Sequence, residues 1–132
     1  MTTATTTTTA AVANELVSLA RAGKNFEAID RLYSPDIVSV EPVGNEMMPA
    51  VMNGIEAIRG KNQWWFDNNE THEVRADGPF VGEDQFAVRY EFETTFKPTG
   101  VRSRFTEMAL YTVKDGKIVR EEFYYHLPSE EK

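Results

Sequence analysis

The chain predicts an α+β fold, with helices gathered on one face of a curved antiparallel sheet. Three observations carry that expectation. Up to about residue 70, apolar side chains recur at helical spacing, interrupted by one extended stretch. Beyond residue 70 the period changes to two. Two turn signals, Lys97-Pro98-Thr99-Gly100 and Lys114-Asp115-Gly116-Lys117, then fold the second half back on itself as a meander.

Each element has a local reason. Val12, Leu16, Leu19 and Ala20 share one helical face, and Gly23 stops that helix. Phe26, Ile29, Leu32 and Tyr33 mark a second helix, ended by Ser34-Pro35-Asp36. Ile37 to Glu41 then reads as a strand closed by Pro42, which removes a ladder donor and holds Glu41 extended. A loop follows with Gly44, Pro49 and two methionines, Met47 and Met48. Asn53-Gly54 opens a third helix, with Ile55, Ile58 and Trp65 on one face. Strands are expected over Thr71–Arg75, Phe86–Phe96, Val101–Val113 and Ile118–Tyr125. Residues 1–11 read as a disordered, threonine-rich arm, 12–128 as one domain, and 129–132 as a charged tail.

Bulk properties narrow the function classes. At 132 residues the chain is long enough for one core, and its 41% hydrophobic and 27% charged content is that of a globular protein. A net charge of −7 argues against nucleic-acid or anionic-membrane partners, which require a basic face. The absence of cysteine excludes a disulfide framework and a thiolate nucleophile. No apolar run approaches the ~20 residues that cross a bilayer, and the first residues lack the pattern of a signal peptide. A cytoplasmic protein is the default expectation. No phosphate-cradling glycine loop or nucleophile elbow occurs, so no cofactor is expected. The two histidines, His72 and His126, lack metal-ligand spacing, so no metal site is expected either.

The turns suggest a register. If Phe96 pairs with Val101, Tyr90 lies opposite Glu107, and the second turn places Tyr124 opposite Glu107 as well. One face then carries Phe86, Val88, Tyr90, Phe92, Phe105, Ala109 and Tyr111, together with Glu107, Arg120, Glu122 and His126. The other carries Arg89, Glu91, Glu93, Arg102 and Arg104 mixed with Met108, Leu110, Phe123 and Tyr125, a composition suited to a homodimer contact through the sheet face. A carboxylate set among tyrosines and phenylalanines should be desolvated and hard to ionise. Two readings stand. Glu107 and Glu122 form a structural network with Arg120 and the tyrosines, or they line a pocket between sheet and helices. Tyr33, Trp65, Tyr90, Phe92, Phe105, Tyr111, Arg120, Glu122, Tyr124 and His126 are the candidate substrate-binding residues of such a pocket.

The run Leu32-Tyr-Ser-Pro-Asp-Ile-Val-Ser-Val-Glu-Pro-Val-Gly44, with Gly54-Ile-Glu-Ala-Ile-Arg-Gly60 and Asp115-Gly-Lys-Ile-Val-Arg120, resembles the SnoaL-like and ketosteroid-isomerase-like families of the nuclear-transport-factor-2-like superfamily. The likeness spans about Val12 to Pro128. It implies a cone-shaped roll, a curved antiparallel sheet wrapped around three N-terminal helices, with a pocket at its open end and usually a dimer. In ketosteroid isomerases the residue before this proline is an aspartate base, and Glu41 falls on that position. The second acid, protonated and donating to the oxyanion, falls within one residue of Glu107. The family's tyrosine on the first helix is matched by Leu16, so the donor would come from Tyr90 or Tyr124. A polyketide-cyclase pair of acid and histidine is not matched in full, and Arg120 between Glu107 and Glu122 only loosely resembles an epoxide-hydrolase relay. The resemblance thus implies Glu41 and Glu107 as catalytic residues of an isomerase or cyclase acting on a small apolar carbonyl compound. The alternative is a binding or dimerisation module of the same fold that catalyses nothing.

Overall fold

The computed structural model describes residues 7–126. Helix α1 (Thr9–Arg21) starts where the Thr8 hydroxyl accepts the Ala11 N–H at 3.0 Å. Three residues of the expected disordered arm are therefore helical, because a threonine at the right place is a cap; residues 1–6 and 127–132, including the expected tail, lie outside the described residues. The helix ends in a paired closure. Gly23, at φ 73°, donates to the Ala20 carbonyl and Lys24 donates to that of Leu19.

Helix α2 (Asn25–Leu32) runs directly into β1 (Tyr33–Val40), so Tyr33 opens a strand rather than closing a helix. Pro35 explains the early switch, since it disfavours helical backbone at the residue before it. A three-residue strand β2 (Val51–Asn53), which the sequence does not signal, folds back on β1 and leads to α3 (Ile55–Asn68). The remaining strands are β3 (Asn69–Val81), β4 (Gln85–Phe96), β5 (Val101–Lys114) and β6 (Lys117–Tyr124). Both turns form as expected. Asp115 and Gly116 take positive φ of 54° and 78° in the β5–β6 hairpin, and Phe96 faces Val101 across the other turn.

The six strands run in the order β2-β1-β6-β5-β4-β3. The sheet is mixed, because β1 pairs parallel with β6 while every other pair is antiparallel. The helices cover one face of this curved sheet. Val12, Leu16 and Val17 of α1 and Ile29 and Leu32 of α2 pack there on Phe86, Val88, Ala109, Tyr111 and Ile118, all buried. Arg21 ties α1 to the sheet by donating to the Ala76 carbonyl at 2.7 Å. Irregularities between Thr71 and Glu73, and between Asp77 and Phe80, bend β3 against β4. Among the described residues no helix is long and apolar enough to cross a membrane.

One irregularity decides the site. Thr112 faces Arg120, yet Val113 faces Ile118, so Val119 is an extra residue bulged out of the β5–β6 ladder. Beyond the bulge the faces of β6 are the reverse of a regular alternation. Glu121 is buried, and Tyr124 lies opposite Met108 rather than Glu107.

Candidate functional site

Between helices and sheet lies a cavity of about 550 Å³. Its lining follows from three local patterns. On β1, period two sends Ile37, Ser39 and then Glu41 inward; Ile37 and Ser39 are fully buried and Glu41 reaches the cavity. The Glu41 backbone is held by its N–H donating to the Ala50 carbonyl at 2.8 Å, with Pro42 following. On α3, Lys61, Asn62 and Trp65 follow the buried Ile58 at spacings of three, four and seven, and all three line the cavity. On the meander, Tyr90, Phe92, Phe105, Glu107 and Tyr111 come from β4 and β5, and Glu121, Phe123 and Tyr125 from β6 and its end.

The expected residues thus divide. Glu41, Glu107, Tyr33, Trp65, Tyr90, Phe92, Phe105, Tyr111 and His126 all line the cavity, and Tyr90 sits opposite Glu107. Arg120, Glu122 and Tyr124 do not. The Val119 bulge turns them to the outer face, where Arg120 pairs with Glu122 at 2.8 Å and Tyr124 is 54% exposed. The loose relay through Arg120 is therefore absent from the cavity, and Phe123 and Tyr125, expected outside, are inside. Leu16 lines the cavity at the position where the resemblance requires tyrosine.

Glu41, Lys61, Ser39, Glu121, Tyr33 and Tyr125 form one connected network in the cavity. Glu41 accepts from Lys61 Nζ and from the Tyr125 hydroxyl, each at 2.8 Å. Lys61 also donates to Ser39 Oγ at 2.6 Å, and Ser39 donates to Glu121 Oε2 at 2.8 Å. The second Glu121 oxygen accepts from the Tyr33 hydroxyl. Tyr90 and Tyr111 share a hydrogen bond of 2.8 Å. Lys61 Nζ further lies 5.2 Å from the centroid of the Phe123 ring. Every buried polar side-chain atom among the described residues has a partner.

Burial shapes the titration of the polar groups in the cavity. Glu107 is pushed up to about 8, first by desolvation, then by the charges of Glu41 and Glu121, against a lowering by Lys61. It keeps some exposed surface because it faces the cavity, while protein surrounds its other sides. Glu121, 2% exposed, is also raised by burial, although Lys61, Tyr33 and Ser39 all favour its ionised form. Burial raises Tyr33 well above the usual phenol range, and the charge of Glu121 adds to it. Tyr125 is raised by burial and by its bond to Glu41. At neutral pH the site thus offers a carboxylic acid at Glu107 beside the Lys61–Glu41 ion pair.

Lys61, Tyr125, Glu121 and Ser39 are the site residues that sequence reasoning misses. Lys61 carries a usable signal, the spacing to Ile58 and Trp65, and Ser39 lies two residues before Glu41 on the same strand. Glu121 and Tyr125 carry none, because their orientation depends on the bulge.

Comparison with known proteins agrees with this architecture. The SnoaL-like domain family matches residues 7–125. A SnoaL-like polyketide cyclase candidate from Mesorhizobium loti is 44% identical, with a TM-score of 0.83 over 88% of this chain and 97% of that one. A second SnoaL-like cyclase candidate, from Jannaschia sp. CCS1, is 14% identical, with a TM-score of 0.73 over 96% and 92% of the two chains. A protein of ketosteroid-isomerase-like fold from Catenulispora acidiphila is 20% identical, with a TM-score of 0.72 over 92% and 90%. No curated protein matches. A match over nearly all described residues, joined to a helix-covered curved sheet enclosing an acidic, aromatic cavity, makes this chain a member of the SnoaL-like domain family.

Proposed function

We propose that the protein is a cofactor-independent isomerase or cyclase that moves a proton alpha to the carbonyl of a small apolar molecule. The observation that carries this reading is the placement of two carboxyl groups of opposite character on one aromatic cavity. Glu41 is ion-paired with Lys61, and Glu107 is held protonated beside it. Glu41 acts as the base. Lys61 and Tyr125 each occupy one of its oxygens and fix its direction. Glu107, as an acid, donates a hydrogen bond to the enolate oxygen as charge develops there. Tyr124 faces outward and the Tyr125 proton is committed to Glu41. The Tyr90–Tyr111 pair, by contrast, uses one of its two hydroxyl protons, so the second donor of this site is the other hydroxyl of that pair. Phe92, Phe105 and Trp65 supply apolar walls for the body of the ligand.

The test works before the natural substrate is identified. In heavy water, exchange of the α-protons of a panel of cyclic and linear ketones is followed by proton NMR with wild type and with Glu41→Gln. Wild type should accelerate exchange of at least one ketone, and the variant should lose ~10²–10⁴-fold of that rate while remaining folded. Equal exchange by the two proteins removes Glu41 as base.

Two observations favour a second reading, a binding module without catalysis. Lys61 already holds the Glu41 carboxylate, and Leu16 replaces a hydroxyl donor. That reading expects tight ketone binding with no exchange. Under either reading we propose a homodimer through the outer sheet face, where Met108 and Tyr124 are exposed between charged rows. Tyr124→Glu should then convert a dimer into a monomer in light scattering.

A further inference from the structure

A second pocket, about 330 Å³, lies under the loop joining β1 to β2, and it shares Glu41, Lys61, Trp65 and Tyr125 with the main cavity. The rest of its lining is mostly apolar: Val43, Met47, Met48, Pro49 and Trp64 stand out. The loop is built rather than loose. Asn45 Oδ1 accepts the N–H groups of Met47 and Met48 at 2.9 and 2.8 Å, and Asn45 N–H donates to the Met48 carbonyl at 2.9 Å. Gly44 lies so close to the Ala50 backbone that a Cβ there would meet its nitrogen at 2.1 Å, so this turn is closed tightly on itself.

From this we infer that the loop pocket is a tail subsite of the main cavity: the ligand's carbonyl-bearing head lies against Glu41 and Glu107, and an unbranched alkyl tail crosses beside Tyr125 onto Met47, Met48 and Trp64. Two features select that occupant. The shared wall contains the Glu41 carboxylate itself, so a chain attached near the reacting carbon leaves the cavity at this point. The two methionines are unbranched and polarisable, which suits a flexible chain better than a fixed ring. This inference rests on the main cavity holding the carbonyl head, and it adds the substrate class: small ketones bearing a linear apolar tail.

The test uses the full chain with methyl-13C methionine and a series of ligands, cyclohexanone and 2-alkylcyclohexanones, whose tail sits on the reacting carbon, with tails of one to six carbons. Cyclohexanone should shift the ring signals of Phe92 and Phe105 and leave the Met47 and Met48 methyls in place. Tails of three carbons or more should move both methyls, with affinity rising about fourfold per added methylene. Val43→Phe, a change at a half-exposed rim position, should remove that gain for long tails and leave cyclohexanone binding unchanged. The subsite is overturned if the methionine methyls stay unmoved through the hexyl compound, or if Val43→Phe shows the wild-type dependence on tail length. A cyclohexanone that moves no cavity signal removes the head site instead, and the tail subsite falls with it.

Discussion

Replacing Glu107 by glutamine should make the protein's stability less sensitive to alkali. The folded-state pKa of Glu107 is raised from its ordinary 4.5 to about 8. Between those values the folded protein keeps a proton that the unfolded chain has released, so stability falls as pH rises. The contribution is full below pH 4.5 and gone once pH has passed 8. Each pH unit in that window is worth about 1.4 kcal/mol, which sets a ceiling of about 5 kcal/mol. Water reaching the cavity side of the carboxyl reduces this, and a loss of about 2–5 kcal/mol is expected. Glutamine keeps the shape and a donor but has no proton to lose. Urea unfolding of wild type and Glu107→Gln at half-unit steps from about pH 4.5 to 8.5 should therefore give two curves that diverge with pH, the variant gaining. Groups titrating alike in both proteins cancel in the difference. Glu41 and Glu121 are coupled to Glu107, so the midpoint of the divergence belongs to the cluster. A difference that stays flat across the window would refute the claim that Glu107 is held protonated.

Three further outcomes follow, two from the cavity and one from the β5–β6 turn. Lys61→Met removes the charge that lowers Glu107, so the Glu107 pKa should rise further above 8, readable in a carbon-detected side-chain titration. Glu121→Leu strands the buried hydroxyls of Tyr33 and Ser39 and should cost about 2–5 kcal/mol in chemical denaturation, without altering the outer face. Gly116→Ala forces a side chain into φ 78° in the β5–β6 hairpin, and about 1–2 kcal/mol should be lost in thermal unfolding.

The elements of this fold are legible because each leaves a local trace. Gly23, Pro42, Asp115-Gly116 and the switch from helical to alternating period all act within a few residues of themselves. Tyr90 opposite Glu107 is legible for the same reason, since one turn fixes the whole β4–β5 register. What escapes depends on contacts distant in sequence. The parallel pairing of β1 with β6 joins, for example, Val38 to Arg120, and nothing in either segment announces its partner. On β6 the alternation itself is uninformative. Glu121, Phe123 and Tyr125 on one parity and Glu122 and Tyr124 on the other are nearly the same residue types, so hydrophobicity cannot say which set faces in. Glu41 and Lys61 differ in this respect. Both stand on elements whose inward face is marked, by Ile37 and by Ile58, and Lys61 escapes only because a charged side chain argues for solvent whatever its position.

The unpaired Val119 also says how this wall of the cavity can change over evolutionary time. Where the extra residue sits in β6, more than which residue it is, specifies the side chains that look inward. Removing Val119 would straighten the ladder and leave Glu121, Phe123 and Tyr125 where they are. Drawing Val119 into regular pairing at unchanged chain length would instead turn the strand over and present Arg120, Glu122 and Tyr124 in their place. A slip of one residue then exchanges an acidic, fully bonded wall for one carrying a guanidinium, with the helices and the opposite wall untouched. Between relatives of this chain, a gap at residue 119 should therefore be read as a bulge lost with its pocket kept. A gap elsewhere in β6 that leaves the bulge in place is a change of pocket chemistry rather than loop noise.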